Sequence, residues 1–141
     1  RNLRHRTCTA ITFSVAVLDE LTGSSDDRIE LTGGVYRSTS HDLIGPAVLE
    51  SLRTIRADKV FFGAAAVSVD GSVMVNDPEA PRALLQAGVE RILLVDSSKL
   101  GQQALYRFCS LADCHLLVTD AAARPSDLEA FRKHTAVRIA R

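Results

Sequence analysis

The segment Ile92–Leu105, ILLVDSSKLGQQAL, decides the fold because an apolar run ends there in an acid, two hydroxyls and a lysine. The pattern predicts a strand followed directly by a helix, the repeating unit of a parallel α/β sheet. Ligands of such sheets bind beyond the carboxyl ends of the strands, where loop amides and helix N-termini offer positive partial charge. Asp96 is suited to accept from a ligand hydroxyl, and Lys99 adds a full positive charge. Ordinary helix capping by Ser97 or Ser98, with a solvated lysine, is the alternative interpretation.

The composition favours one domain with no affinity for charged polymers. The 141 residues are 46% hydrophobic and balance 17 basic against 17 acidic side chains. We therefore expect residues 1–141 to form a single domain with one core, and no general attraction to nucleic acid or to a membrane surface. No apolar run reaches the ~20 residues that span a bilayer, and the start RNLRHRTC does not resemble a signal peptide. These features predict a cytoplasmic protein.

The cysteines suggest no special chemistry. Cys8, Cys109 and Cys114 have spacings that match neither a disulfide framework nor a zinc site. We expect buried thiols, no metal and no cofactor. The pair Cys114-His115 also offers a metal ligand or a nucleophile, an alternative that is disfavoured because it opens the apolar run HLLVTD.

Strands and helices are predicted to alternate along the chain. Strands are expected at Thr9–Ser14, Arg28–Thr32, Lys59–Val67, Ser72–Val75, Arg91–Val95, His115–Thr119 and residues 136–140. Helices are expected over residues 15–21, from Gly45-Pro46 onward, over Arg82–Gly88, after Lys99 through Phe108, and from a capping box at Ser126–Glu129. The helix after Pro46 is expected to bury one apolar stripe, formed by Val48, Leu49, Leu52 and Ile55. GSSDD and the polar segment VYRSTSHD are predicted to be connections, and KVFFGAAAV a central strand buried on both faces. The fold class is therefore α/β, with a Rossmann-like, mostly parallel sheet flanked by helices.

The loops after residues 14, 32, 64, 95 and 119 are expected to share one edge of this sheet. Gly33-Gly34 permits positive φ and close backbone approach to a ligand, although a plain tight turn explains the pair equally well. Arg37 is suited to clamp an anion or to pair with a surface carboxylate. The sequence lacks G-x-S-x-G, G-x-G-x-x-G and the P-loop pattern, which disfavours hydrolase, dinucleotide and nucleoside triphosphate sites.

Three blocks, LTGGVYRSTSHDLIGP, ADKVFFGAAAV and VDSSKLGQQAL, resemble in order and spacing the C-terminal effector domain of DeoR-family bacterial transcription regulators. The resemblance implies a fold similar to ribose-phosphate isomerases and coenzyme A transferases. It also implies sensing of a phosphorylated sugar without turnover, no catalytic residues, and assembly as a homo-oligomer. The effector-binding residues that it implies are Thr12, Ser14, Gly33, Gly34, Arg37, Ser40, Gly63, Asp96, Ser98 and Lys99.

The sequence also departs from the family pattern. Phe13 stands where the family has the asparagine of a T-N-S segment, and a competing register places Thr7-Cys8-Thr9 there. The family's N-terminal winged helix-turn-helix and the first strand with its D-S-G-T-T loop have no counterpart. We therefore expect a fragment that contacts DNA only through the absent N-terminal domain. Glu79 is the match to a recurrent family acid.

Three functions remain open at this point. The first is a sensor and oligomerisation domain in which Lys99 and Arg37 contact phosphate and Asp96 contacts a sugar hydroxyl. The second is a sugar-phosphate isomerase that uses an acid from Asp77, Glu79, Asp96 or Asp120 as general base. The third is a dimerisation module with a non-functional pocket.

Overall fold

The computed structural model describes residues 8–22 and 28–140. They fall into two compact units, one within Arg1–Ile55 and the other within Arg56–Arg141. The single domain expected from the length therefore stays a prediction. The predicted GSSDD loop and Thr7 of the competing register lie outside the described residues.

The first unit contains a parallel strand pair and an antiparallel hairpin. Its elements in chain order are β1 (Thr9–Thr12), α1 (Val15–Leu21), β2 (Arg28–Leu31), β3 (Val35–Arg37), β4 (Asp42–Ile44) and α2 (Pro46–Thr54). β1 pairs in parallel with β2, and β3 pairs with β4. The segment VYRSTSHD was expected to be a plain connection, and that expectation is wrong because it supplies β3 and the turn of this hairpin.

Helix α2 confirms the predicted start and apolar stripe. Pro46 occupies the first turn, where its missing N–H costs nothing. Val48 and Leu52 lie one turn apart and are both buried, whereas Glu50 and Arg53 on the other face are exposed. The helix therefore packs through one face, as its spacing predicts.

The second unit is built on a four-stranded parallel sheet. Its elements are β5 (Ala57–Phe62), β6 (Ala66–Val67), β7 (Ser72–Val75), α3 (Glu79–Ala87), β8 (Gly88–Leu94), β9 (Tyr106–Ser110), β10 (Leu116–Thr119), α4 (Pro125–Arg132) and β11 (Ala136–Ile139). The parallel sheet has the order β11-β10-β8-β5, and β6-β7-β9 form a small antiparallel sheet. The α/β class with a Rossmann-like parallel sheet and flanking helices is confirmed. The uniform alternation of strand and helix is wrong, because β9 and short turns replace a helix between β8 and β10.

The core of this unit joins both sheets to α3 and α4. Leu93 and Leu117 from the parallel sheet, Val73 from the small sheet and Phe131 from α4 are fully buried in one hydrophobic cluster. Leu84 from α3 packs against the same cluster. This packing fixes the strand ends that carry the candidate site.

The predicted central strand KVFFGAAAV is wrong in two respects. The run divides at Gly63, so that its first part belongs to β5 and its last two residues form β6 of the other sheet. Within the described part of the chain, β5 also lies at the edge of the parallel sheet, and the Phe61 side chain is 53% exposed. An apolar run of this kind therefore predicts neither burial on both faces nor the position of its strand in the sheet.

The helix predicted after Lys99 is absent, since Ser97–Lys99 form a single 3-10 turn and Tyr106–Ser110 form strand β9. Gly101 follows the turn with φ of +74°, a conformation that ends helical geometry and favours glycine. Buried Leu100 anchors the turn to the core. The apolar residues of β9 therefore serve a sheet and not a helix.

Two helix starts differ from the predictions. α3 begins at Glu79 rather than Arg82, with Pro81 in its first turn, where the missing N–H is tolerated. α4 begins at Pro125, so Ser126 lies inside the helix and the predicted capping box is wrong. None of the helices in residues 8–22 and 28–140 has the length and hydrophobicity of a bilayer-spanning segment.

Candidate functional site

The turn that follows β8 uses its own backbone amides. The Ser98 amide donates to Asp96 Oδ1 at 3.0 Å, and the Lys99 amide donates to the Asp96 carbonyl at 3.1 Å. The Leu100 amide donates to the Ser97 carbonyl at 3.2 Å, and the Ser97 amide is also engaged, as described below. The helix whose N-terminus was expected to attract an anion does not form, and the four consecutive amides of the turn already have acceptors. Asp96, and not a serine, caps the turn.

Positive charge at this turn comes from the side chain of Lys99. Its Nζ lies 3.3 Å from Asp96 Oδ2, and the two side chains are 43% and 53% exposed. The Ser98 hydroxyl donates to Asp96 Oδ1 in a short hydrogen bond. This bond, followed by the contact with Lys99, lowers the pKa of the Asp96 carboxyl below its ordinary value. The turn presents an exposed ion pair that a ligand with a phosphate and a hydroxyl can exchange.

Asp120 joins this turn to the end of β10. Its Oδ2 accepts from the Ser97 amide at 2.7 Å, and its Oδ1 accepts from the Ala122 amide at 2.8 Å. These hydrogen bonds, that from Ser97 first, lower the pKa of the Asp120 carboxyl. The sequence marked Asp120 as an acid at a strand end, but its role as the link between two loops needed the structure.

The carboxyl ends of β5, β8 and β10 lie side by side in the parallel sheet. The Val95 amide donates to the Val118 carbonyl at 3.1 Å, and a side chain added at Gly63 would meet the Leu94 carbonyl oxygen at 3.7 Å. The predicted residues Gly63, Asp96, Ser98 and Lys99 thus belong to one edge. Thr119 ends β10 at the same edge, and its buried hydroxyl has no hydrogen-bond partner among the described residues.

The first unit has its own strand-end cluster. Thr12 Oγ1 accepts from the Ser14 amide at 3.0 Å, and the Thr12 carbonyl accepts from the Thr32 amide at the end of β2. The Thr32 hydroxyl is likewise buried without a partner in the described residues. In the sequence, the signal for these two residues is a threonine at the end of each predicted strand; the burial of their hydroxyls is seen only in the structure.

The two glycines of the T-G-G block differ. Gly34 has φ of +138°, and a methyl group there would lie 2.8 Å from the Ile44 carbonyl oxygen and 2.9 Å from Val48 Cγ2. Gly33 has no such conformation, and its added carbon would only touch Ala47 Cβ at 3.4 Å. The structure explains Gly34 by the fold itself and leaves Gly33 open to a ligand role.

Arg37 and Ser40 meet at the turn of the hairpin. Arg37 Nε donates to Ser40 Oγ at 3.0 Å, and the Ser40 amide donates to the Arg37 carbonyl at 3.4 Å. His41 has φ of +56°, and its Nδ1 lies 2.8 Å from the Tyr36 hydroxyl oxygen. His41 is therefore tied to the hairpin.

The predicted residues thus form two sets, each assembled within its own unit. Thr12 with Ser14 and Arg37 with Ser40 are joined in the first unit, and Asp96, Ser98 and Lys99 in the second. The meeting of the two sets around one ligand stays a prediction.

The Cys114-His115 pair is held by the surrounding backbone and core. His115 Nδ1 accepts from the Arg91 amide at 3.1 Å. Cys109 and Cys114 are buried thiols, as expected, whereas Cys8 is half-buried. Residues 8–22 and 28–140 contain no group of three or more side chains placed to hold a metal ion.

Comparison with known proteins identifies the relatives of this chain. The family model described as the DeoR C terminal sensor domain matches residues 1–121. The chain is 31% identical over 115 residues to the HTH-type transcriptional repressor GlcR of Bacillus subtilis (strain 168), an alignment that covers 80% of this chain and 45% of the relative. It is 28% identical over 135 residues to the glycerol-3-phosphate regulon repressor of Escherichia coli (strain K12), covering 94% and 54% respectively.

A third relative is the lactose phosphotransferase system repressor of Staphylococcus epidermidis. It is 31% identical over 96 residues, which cover 66% of this chain and 38% of that protein. Against the first two relatives, the chain spans about half of the curated protein's length.

Proposed function

The chain belongs to the DeoR family of transcription regulators as a sensor domain, and we propose that it binds a phosphorylated sugar or a related metabolite and thereby controls a repressor. The observation that carries the proposal is the exposed Asp96–Lys99 ion pair on a turn whose backbone is already satisfied. Two of the relatives are named for glycerol 3-phosphate and for a phosphotransferase system, which supports a phosphorylated effector.

In the proposed complex, a phosphate takes the place of Asp96 beside Lys99, and a sugar hydroxyl donates to the released carboxylate. The exchange gives Lys99 a new ion pair with the phosphate and gives the Asp96 carboxylate a hydrogen bond, so neither charged group is left without a partner. Phosphate binding then depends on side chains and not on the amides of the turn.

Control of DNA binding needs only modest coupling. A differential affinity of about 1–3 kcal/mol between two states changes occupancy roughly 5- to 150-fold. The balanced charge of this chain supports the proposal that DNA is contacted by another part of the regulator. We also propose that the domain assembles as a homo-oligomer, which sedimentation equilibrium measures directly.

The central test is calorimetric titration with glycerol 3-phosphate and hexose phosphates, alongside the same sugars without phosphate and inorganic phosphate. A charge-assisted hydrogen bond contributes about 1.5–3 kcal/mol, so Lys99→Ala is expected to weaken binding by roughly 10- to 150-fold. Lys133→Ala, which removes an exposed lysine at the end of α4, is the matched control and is expected to leave affinity unchanged.

Asp96→Asn separates the two parts of the proposal. It keeps an oxygen that can accept from Ser98, but it removes the charge that pairs with Lys99. We expect the preference among sugars to change while phosphate remains required. Equal binding by the wild type and Lys99→Ala would exclude Lys99 from the site. Formation of an isomeric sugar phosphate during the titration would instead indicate an enzyme.

A further inference from the structure

A pair of buried thiols lies in the second unit. Cys109 is on β9, and Cys114 directly follows a 3-10 turn at residues 111–113. Both side chains belong to the hydrophobic cluster and are less than one-tenth exposed. No part of the proposed effector site uses them.

The turn between the two cysteines brings them together. The Ser110 hydroxyl accepts from the Ala112 amide at 3.3 Å, and the Asp113 carboxylate accepts from the Ser110 amide at 2.8 Å, which closes a capping box. The Cys114 amide donates to the Leu111 carbonyl at 3.0 Å. Cys114 Sγ consequently lies 3.7 Å from the carbonyl oxygen of Ser110, the residue next to Cys109. Both thiols also belong to one hydrophobic cluster, where they interact with each other.

We propose that Cys109 and Cys114 are a modification site that closes into a reversible intramolecular disulfide when the protein meets a hydroperoxide. A disulfide requires two cysteines whose backbone positions are close. The short capped turn joins Cys109 to Cys114 and directs the Cys114 thiol back to the residue beside Cys109. The pair is thus a redox-responsive element independent of effector binding.

The two thiols have different reactivity. The hydrogen bond from Cys109 lowers the pKa of the Cys114 thiol, and the same contact, followed by burial, raises the pKa of Cys109. The charge of Arg91 favours the thiolate of both, while Asp113 opposes it. Cys114 is therefore the thiol that reacts first, and Cys109 resolves the product.

The reaction balances with hydrogen peroxide as the oxidant. The Cys114 thiolate attacks one peroxide oxygen, a sulfur–oxygen bond forms, the oxygen–oxygen bond breaks, and the hydroxide that leaves takes up the proton of Cys114 as water. The Cys109 sulfur then attacks the sulfenic acid, the sulfur–sulfur bond forms, and the departing hydroxide takes the Cys109 proton as a second water. Two thiols and one peroxide give one disulfide and two waters.

The test treats the folded chain with hydrogen peroxide, blocks remaining thiols under denaturing conditions, and measures intact mass and the peptide between Arg107 and Arg132, which carries both cysteines. We expect loss of two mass units in that peptide, two fewer blocked thiols per chain, and recovery with dithiothreitol. Cys8→Ala is the matched control and should behave like the wild type.

Single variants resolve the order of events. Cys109→Ala should accumulate a sulfenic acid on Cys114 that a dimedone-type nucleophile traps, whereas Cys114→Ala should label at least tenfold more slowly at Cys109. Two unmodified thiols in the wild-type peptide, a disulfide that includes Cys8, or sulfinic acid without a disulfide would each overturn the proposal. The wild-type mass measurement decides the matter even if an alanine variant does not fold.

Discussion

Replacing each glycine of the Gly33-Gly34 pair with alanine separates a fold requirement from a ligand requirement. At Gly34 the φ of +138° is unfavourable for an L residue, which costs about 1–2 kcal/mol. The new methyl group would also lie 2.8 Å from the Ile44 carbonyl oxygen and 2.9 Å from buried Val48, and overpacking of this kind costs about 1–3 kcal/mol. Gly34→Ala should therefore reduce the free energy of unfolding by about 2–5 kcal/mol.

Gly33→Ala is the adjacent control. Its methyl group would lie 3.4 Å from Ala47 Cβ, which is an ordinary van der Waals contact, and the residue does not need a positive φ. The free energy of unfolding should change by less than about 1 kcal/mol, and a gain is expected if the loss of unfolded-state entropy dominates. If Gly33 admits a ligand, this variant should lose phosphate-ester binding while keeping its stability.

Urea unfolding followed by far-ultraviolet circular dichroism is the assay, because the chain has no tryptophan. With a slope of about 2 kcal/mol per molar, the Gly34→Ala midpoint should fall by roughly 1–2.5 M, and the Gly33→Ala midpoint should stay within about 0.5 M. A Gly34→Ala midpoint equal to that of the wild type would refute the close approach of β4 and α2 to this glycine. Equal losses in both variants would refute the distinction between the two positions.

Three further predictions concern the second unit. Phe131→Ala should reduce the free energy of unfolding by about 3–5 kcal/mol, because Phe131 is fully buried. Phe61→Ala, at an exposed position, should reduce it by less than about 1 kcal/mol, and chemical denaturation of both variants measures the difference. Ser110→Ala should lower stability by about 0.5–2 kcal/mol through loss of its cap, measured in the same way. The lowered pKa of Asp120 adds stability that is present above the ordinary value of 3.8 and is lost as pH falls through the lower folded value, so acid titration of stability should be shallower in Asp120→Asn.

The sequence predicted elements where a single pattern was decisive. The stripe of Val48 and Leu52 specified the buried face of α2, and the strand over Ser72–Val75 was predicted with its observed bounds. Prediction from the sequence failed where a local pattern fits two kinds of secondary structure and tertiary packing decides between them. Tyr106 and Phe108 are compatible with a helix or a strand, and Gly101 with its positive φ was the overlooked signal that helical geometry ends.

The candidate site was predictable in identity and less so in chemistry. Strand-end position marked Asp96 and Lys99 correctly as neighbours at one edge. The hydrogen bonds of the turn amides were not predictable, because the acceptor for the Ser97 amide is the carboxylate of Asp120, which is distant in sequence. The strand order was equally hidden, since the hydrophobicity of residues 59–67 does not indicate which strands flank them.

The turn at residues 96–100 is preorganised, and this has a thermodynamic consequence. Four successive backbone amides already donate hydrogen bonds within the protein, so the binding of a ligand has little backbone disorder left to remove. The conformational entropy lost when a ligand binds should come mainly from ordering of the Lys99 side chain. Amide protons of this exposed turn should accordingly exchange slowly with deuterium before any effector is added, and an effector should change those rates little.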